Sequence, residues 1–384
     1  MNRRDALTGM ILAVLLGIPP ARAGEAAALA LESRLTRDVQ TLCAPEFQGR
    51  RGAGGRRASE LLVERFRKLG LTPLFGDAFT QSIPDPAGIG IIGRNVGAML
   101  RGSDEKLRDE YVIVSAHYDH LGKNGELIYP GADDNASGVA MMLELARHYS
   151  EAPTKPRRSL IFVGFDLEEA GLFGSRFFVE HAPVSLNAIK LFLTADMIGR
   201  SLGGVCKPYV FVMGSEHAPS LRKTIEKAGT GEPVKVGLLG SDILLLARSD
   251  YGPFMSRKIP YLFFSTGENP LYHTPGDRPE TLDYPKLTSI TRIIQRTVSE
   301  AADLDTIPAW SQSSPPAVEE AAAIRDVLRT LLDHRDELEI GGATALIMRN
   351  ALKTLDLIVE RGAFTPEERT AVIRIARIIL ISIF

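Results

Sequence analysis

The chain has 384 residues, of which 45% are hydrophobic and 24% charged, and its formal net charge is -2. This composition excludes a disordered or collagen-like protein and suffices for one large domain plus a smaller appendage. The balanced charge offers no concentrated basic surface for nucleic acid, and the run Arg50, Arg51, Arg56, Arg57 reads as a solvated loop and helix start.

The first 23 residues have the form of an export signal: Arg3 and Arg4, an apolar run from Leu7 to Ile18, then Ala21-Arg22-Ala23 before Gly24. The run is short for a bilayer span, so the expectation is a leader removed on export to the periplasm or beyond, with no stable membrane insertion afterwards. The paired arginines leave both the general secretory and the twin-arginine routes open. Cys43 and Cys206 are the two cysteines, and the sequence leaves open whether they pair. They are too few for a thiolate cluster, so any metal must be held by histidine and carboxylate.

From Glu25 to about Leu71 the pattern is helical, with Leu61, Leu62, Phe66 and Leu69 at helical spacing and Gly70 as the stop. Strands are expected at Asn95–Leu100, Tyr111–Ala116, Leu160–Phe165, Leu191–Thr194, Tyr209–Met213 and Tyr261–Ser265, several as continuous apolar runs. Helical stretches fall between them at Ser137–Tyr149, Gly171–His181 and His217–Ala228. Doubly buried strands alternating with helices predict a three-layer α/β/α sandwich around a mixed, largely parallel sheet, with ligands bound beyond the carboxyl ends of the strands. This domain is expected over residues 24–306. The Pro- and Ser-rich stretch 307–318 reads as a linker, and 319–384 as a small helical region that packs on the domain.

Five short motifs lie just past strands: His117-Tyr118-Asp119-His120, Gly131-Ala132-Asp133-Asp134-Asn135-Ala136-Ser137-Gly138, Asp166-Leu167-Glu168-Glu169, Ala195-Asp196-Met197 and Tyr272-His273-Thr274-Pro275. Each alone is weak, because a lone histidine or acid pair is usually structural or solvated. Together they supply two histidines and three carboxylates, a set that holds two zinc ions when one carboxylate bridges them.

The ensemble, over roughly Leu42 to Leu304, resembles the co-catalytic di-zinc aminopeptidases of the leucyl aminopeptidase type, whose relatives include carboxypeptidases. The resemblance implies that His117 and Asp196 hold one zinc, that Glu169 and His273 hold the other, and that Asp134 bridges, with Asp133 second choice and the Asp134–Asn135 peptide cis. It also implies peptide substrates, Glu168 as the general base on a metal-activated water, Asp119 as acceptor of the second ring proton of His117, and Tyr272 as a group steadying the oxyanion. In Ser249-Asp250-Tyr251-Gly252-Pro253-Phe254 a tyrosine stands where the family has a histidine, which affects pocket shape rather than the ligand set. His120, His148, His181, His217 and His334 match no ligand and read as structural or surface residues. A carboxypeptidase, an N-acyl amide hydrolase or a glutaminyl cyclase on the same scaffold, and a non-catalytic binding module, remain the alternatives. The complete ligand set argues against the last two.

Overall fold

The computed structural model describes residues 20–244, 247–307, 309–312 and 315–383. Most of the expected leader therefore lies outside the described residues. The helices are α1 (Pro20–Leu42), α2 (Ala53–Lys68), α3 (Gly138–Glu151), α4 (Phe173–Glu180), α5 (Leu221–Gly229), α6 (Tyr251–Ser256), α7 (Tyr284–Asp303), α8 (Val318–Asp333), α9 (Gly342–Arg361) and α10 (Pro366–Ile383). The strands are β1 (Thr72–Pro73), β2 (Thr80–Pro84), β3 (Ile91–Leu100), β4 (Tyr111–His117), β5 (Lys123–Asn124), β6 (Leu127–Ile128), β7 (Ser159–Phe165), β8 (Ile189–Ala195), β9 (Tyr209–Met213), β10 (Lys235–Leu238) and β11 (Tyr261–Ser265).

The main sheet runs β1-β3-β7-β4-β8-β11-β9-β10, with β2 beside β3. Its centre is parallel, with β7, β4, β8 and β11 in one direction, while β3 against β7 and β9 against β11 are antiparallel. Period-two alternation splits the apolar residues of each strand between two cores. Val112, Val114, Leu160, Phe162, Leu262 and Phe264 join one core with α1, α2, α3, α5 and α7. Ile113, Ile161, Val163, Phe211, Phe263 and their neighbours join the other with α4, α6 and the last three helices. The continuous apolar runs are thus strands covered on both faces, and the three-layer sandwich is observed.

After β4 the chain moves sideways to β7 and then returns across β4 to β8, so β4 sits at the point where the strand order reverses. A crevice opens above such a point, and His117 is the last residue of β4.

The stretch read as a linker is fastened to the body, because the Trp310 ring stacks on His217 at 3.8 Å and the Ser311 amide donates to the His217 carbonyl at 2.8 Å. The C-terminal helices share their core with the sheet: Ile324, Leu328, Val372 and Ile379 belong to the same apolar cluster as Phe165, Phe211 and Phe263. Buried polar contacts add to this seam. Glu320 accepts from the Gly240 amide at 2.7 Å and from Arg369 Nε at 2.6 Å, and Arg369 also reaches Asp242. Cys43 and Cys206 are free thiols, and burial pushes them up to about 12 and about 11. Among the described residues no helix is long and apolar enough to cross a membrane.

Candidate metal centre

All five expected ligands meet above the carboxyl ends of β4, β7, β8 and β11. His117 Nε2 lies 3.2 Å from Asp134 Oδ1 and 3.3 Å from Asp196 Oδ1. His273 Nε2 lies 3.1 Å from Asp134 Oδ2 and 3.1 Å from Glu169 Oε2. The two oxygens of Asp134 thus face two different histidines. Nitrogen and carboxylate oxygen atoms so grouped suit zinc.

The backbone explains the convergence. Leu167, Met197 and His273 adopt left-handed φ values of 58°, 56° and 54°, each at a bend where the chain leaves a strand or turns back over the sheet. The Asp134–Asn135 peptide is cis, as the resemblance implies. Gly131 has φ 60° and lies so close to the Asp134 carbonyl that a Cβ there would overlap it, and at Gly138 a Cβ would strike the Ala195 carbonyl. These two glycines let the acidic turn press against β8.

The orientation of the His117 ring follows from its neighbour. Its Nδ1–H donates to the backbone carbonyl of Asp119 at 3.2 Å, which turns Nε2 toward Asp134 and Asp196. The Asp119 carboxylate faces the same nitrogen at 3.5 Å. It also receives the amides of Glu168 at 3.1 Å and Glu169 at 3.3 Å, and so fixes the turn that presents both glutamates.

Asp133, the second choice for a ligand, points away from this cluster. Its oxygens accept from the Gly199 amide at 2.7 Å and from Asn269 Nδ2 at 3.2 Å. Tyr272 stacks on His273 at 3.8 Å, which places its ring beside the ligands. Tyr251 packs between Tyr261 and Phe263 at 5.0 and 4.9 Å. The substitution for histidine there therefore serves an aromatic stack.

Three contributors were not legible beforehand. His120, read as structural, is buried beside the ligands and donates Nδ1–H to Glu169 Oε1 at 2.7 Å, while its buried Nε2 has no hydrogen-bond partner. The spacing His117-x-x-His120 was its one signal. Asp277 accepts the amides of Asp133 at 2.8 Å and Asp134 at 3.1 Å and pairs with Arg200 at 2.8 Å, so an acid far along the chain holds the acidic turn.

Arg50 is the third, and it corrects the solvated reading of the basic run. Its side chain is fully buried and donates to the carbonyls of Tyr118 at 2.8 Å, Gly131 at 2.7 Å, Asp134 at 3.1 Å and Pro130. One guanidinium thereby ties the His117 loop to the Asp134 turn. Each carbonyl orphaned by its loss costs about 1–3 kcal/mol. Arg50→Leu is therefore expected to lower unfolding stability by about 3 kcal/mol or more, read from the urea midpoint by circular dichroism. An unchanged midpoint would contradict the clamp.

The electrostatics are those of a crowded acidic crevice. Burial works against charge on His117, yet the carboxylates of Asp196 and Glu168 and the hydrogen-bonding groups around it hold the imidazole well above its ordinary range. Burial also opposes His273, but Asp134 and Glu169 raise it to about 10. Asp134 is buried too, and contacts with His117, His273 and His120 keep it well below the usual carboxylate range. Glu168 goes the other way: burial, with Asp196, Asp250 and Asp119 nearby, outweighs His117 and pushes it well up.

Two groups of ligand atoms, from His117, Glu168 and Asp196 and from His120, Asp134 and Glu169, each lie within 4.8 Å of one another. The buried Nε2 of His273 lacks a well-formed hydrogen bond although oxygens of Asp134 and Glu169 lie 3.1 Å away, and the buried Nε2 of His120 also lacks a partner. A divalent cation relieves such crowding, because its charge favours the ionised carboxylates and neutral imidazoles that would bind it. The residues present therefore fit zinc.

The chain is similar to several known peptidases. The chain is 30% identical over 212 residues to aminopeptidase YwaD of Bacillus subtilis, covering 52% of this chain and 43% of that protein. It is also 30% identical over 185 residues to leupeptin-inactivating enzyme 1 of Streptomyces exfoliatus, covering 47% of this chain and 38% of the relative. The chain thus spans about two fifths of the length of these curated relatives. The solved structure of the Legionella pneumophila LapA aminopeptidase shares the fold, with a TM-score of 0.56 and 21% identity over 73% of this chain and 75% of that one. The family described as Peptidase family M28 matches residues 95–298, a stretch that makes up more than half of the chain and contains every site residue expected from the sequence. On that match, the chain belongs to peptidase family M28.

Proposed function

We propose that this protein is an exported zinc exopeptidase that removes N-terminal residues from peptides, using two ions. The observation that carries the reading is Asp134, whose oxygens face His117 and His273 separately at 3.2 and 3.1 Å. A carboxylate so disposed is suited to bridge, with Asp196 completing one ligand group and Glu169 the other. Zinc in that setting supplies an activated water and polarises the scissile carbonyl.

The chain's own residues have distinct tasks. Glu168 neighbours the ligand Glu169, and Asp119 fixes its backbone, so its carboxylate is suited to take a proton from the attacking water and pass it to the leaving amine. Tyr272, half-buried against His273, can donate its hydroxyl to the developing oxyanion. His120 fixes the second oxygen of Glu169 and thereby orients that ligand. Export rests on the leader-like first 23 residues.

The test is metal content together with hydrolysis of free and N-blocked aminoacyl anilides and dipeptides, with and without chelator. Two zincs per chain and chelator-sensitive cleavage of free-amine substrates are expected. Activity confined to N-blocked or carboxyl-terminal substrates would move the protein to the deacylase or carboxypeptidase branch. Failure to bind metal under repletion would overturn the reading.

A further inference from the structure

A cavity of about 580 Å³ adjoins the metal centre, and its lining includes Glu168, Asp196 and Tyr272 on one hand and Ile324, Leu328 and Ile379 on the other. The last three come from α8 and α10, beyond the matched residues 95–298. Phe211, Met213 and Phe263, from the sheet, also line it. Apart from Arg377, whose guanidinium donates to the Asp242 carbonyl, every side chain that these helices bring to the cavity is apolar. The helices are held there by the Glu320, Arg369 and Asp242 contacts, which grip the 240–242 segment just before the lining residues Ile243 and Leu244.

A volume of this size encloses a whole drug-sized molecule, more than one leucine side chain requires. Apolar walls give no hydrogen bonds to a peptide backbone or to ordered water, so they favour an apolar occupant. Because the same cavity contains the reacting carboxylates, that occupant is part of the substrate.

We propose that α8 and α10 form the specificity wall of the active site, and that the substrate carries an extended apolar chain next to the amide that is cleaved. This rests on the exopeptidase reading for its chemistry, but not for binding. The chain has two possible sources, a long aliphatic or doubly bulky side chain on the terminal residue or an acyl group on its nitrogen. Both present the same methylene surface to Leu328 and Ile379.

The experiment uses the full-length zinc-loaded protein and two homologous series: 2-aminoalkanoyl amides from alanyl to 2-aminodecanoyl, and N-acyl alaninamides from acetyl to decanoyl. Calorimetry measures binding and the corresponding anilides measure turnover. Affinity in one series is expected to rise about fourfold per methylene well past the length of leucine, the equivalent of about 0.8 kcal/mol per group. Whichever series shows the rise identifies the source.

Leu328→Trp or Ile379→Trp, which fill the cavity, should reduce the ratio of long-chain to short-chain affinity at least tenfold. A merely structural role would lower both alike. The wild-type length series stands alone if either variant fails to fold. Affinity that levels off at leucine in both series, or a ratio unchanged in folded tryptophan variants, would overturn the proposal. Length-dependent binding without any hydrolysis would remove the peptidase reading and leave the wall intact.

Discussion

Glu168→Gln is expected to reduce kcat by about two orders of magnitude or more while both zincs stay bound. The magnitude is that of losing a positioned general base, which contributes about 10²–10⁴-fold. The expectation depends on a division of labour between adjacent residues: Glu169 faces His273 at 3.1 Å, whereas Glu168 contacts neither His273 nor His120 among the described ion pairs. Glutamine keeps the shape and still hydrogen-bonds, but it cannot accept a proton at neutral pH. Metal analysis beside steady-state kinetics decides the matter. Near-wild-type turnover would assign the base to another group, and lost zinc would make Glu168 a ligand, as its place in a group with His117 and Asp196 allows.

Asp134→Ala is expected to have the larger effect, loss of both metal and activity. Its two oxygens are the shared member of the His117 and His273 contacts, so removing them weakens both positions together. Forfeiting the several kcal/mol that the metals supply to the transition state corresponds to a fall of about 10³-fold or more. Metal stoichiometry after dialysis is the measurement. A variant retaining two tightly bound zincs would refute the bridge, whereas a variant retaining one would show that a single position is self-sufficient.

The parts of this arrangement that the sequence made legible share a physical reason. Tyr111–Ala116 and Leu160–Phe165 are apolar on both faces, so their periodicity pointed to a covered sheet, and the motifs that follow them are local in sequence. β2 and β10 escaped notice because an exposed or short edge strand such as Thr80–Pro84 or Lys235–Leu238 carries little apolar signal. Arg50 was opaque for another reason: among neighbouring arginines, nothing local tells the one aimed at carbonyls near residue 130 from those facing water. Asp277 was opaque likewise, because it serves amides more than 140 positions earlier in the chain. His120 differs again. Its motif was in view, but the ligand pattern assigned it no place, and only the packing of β4 against β7 brings it to Glu169. Long-range polar contacts are the part of a site that periodicity cannot report.

The gathering of one ligand from each of several crossovers bears on how the protein reaches its working state. His117 and His273 are the first and last of the five expected ligands along the chain, and the residues between them must be laid down as β7, β8 and β11 before the two imidazoles face Asp134. No short fragment of the nascent chain holds the full set of donors. High-affinity metal capture is therefore expected as the last event of maturation rather than its seed, the reverse of a zinc finger, in which a few local residues bind first and the ion drives folding. Stopped-flow refolding in the presence of a zinc indicator should show metal uptake lagging behind the far-ultraviolet signal of sheet formation.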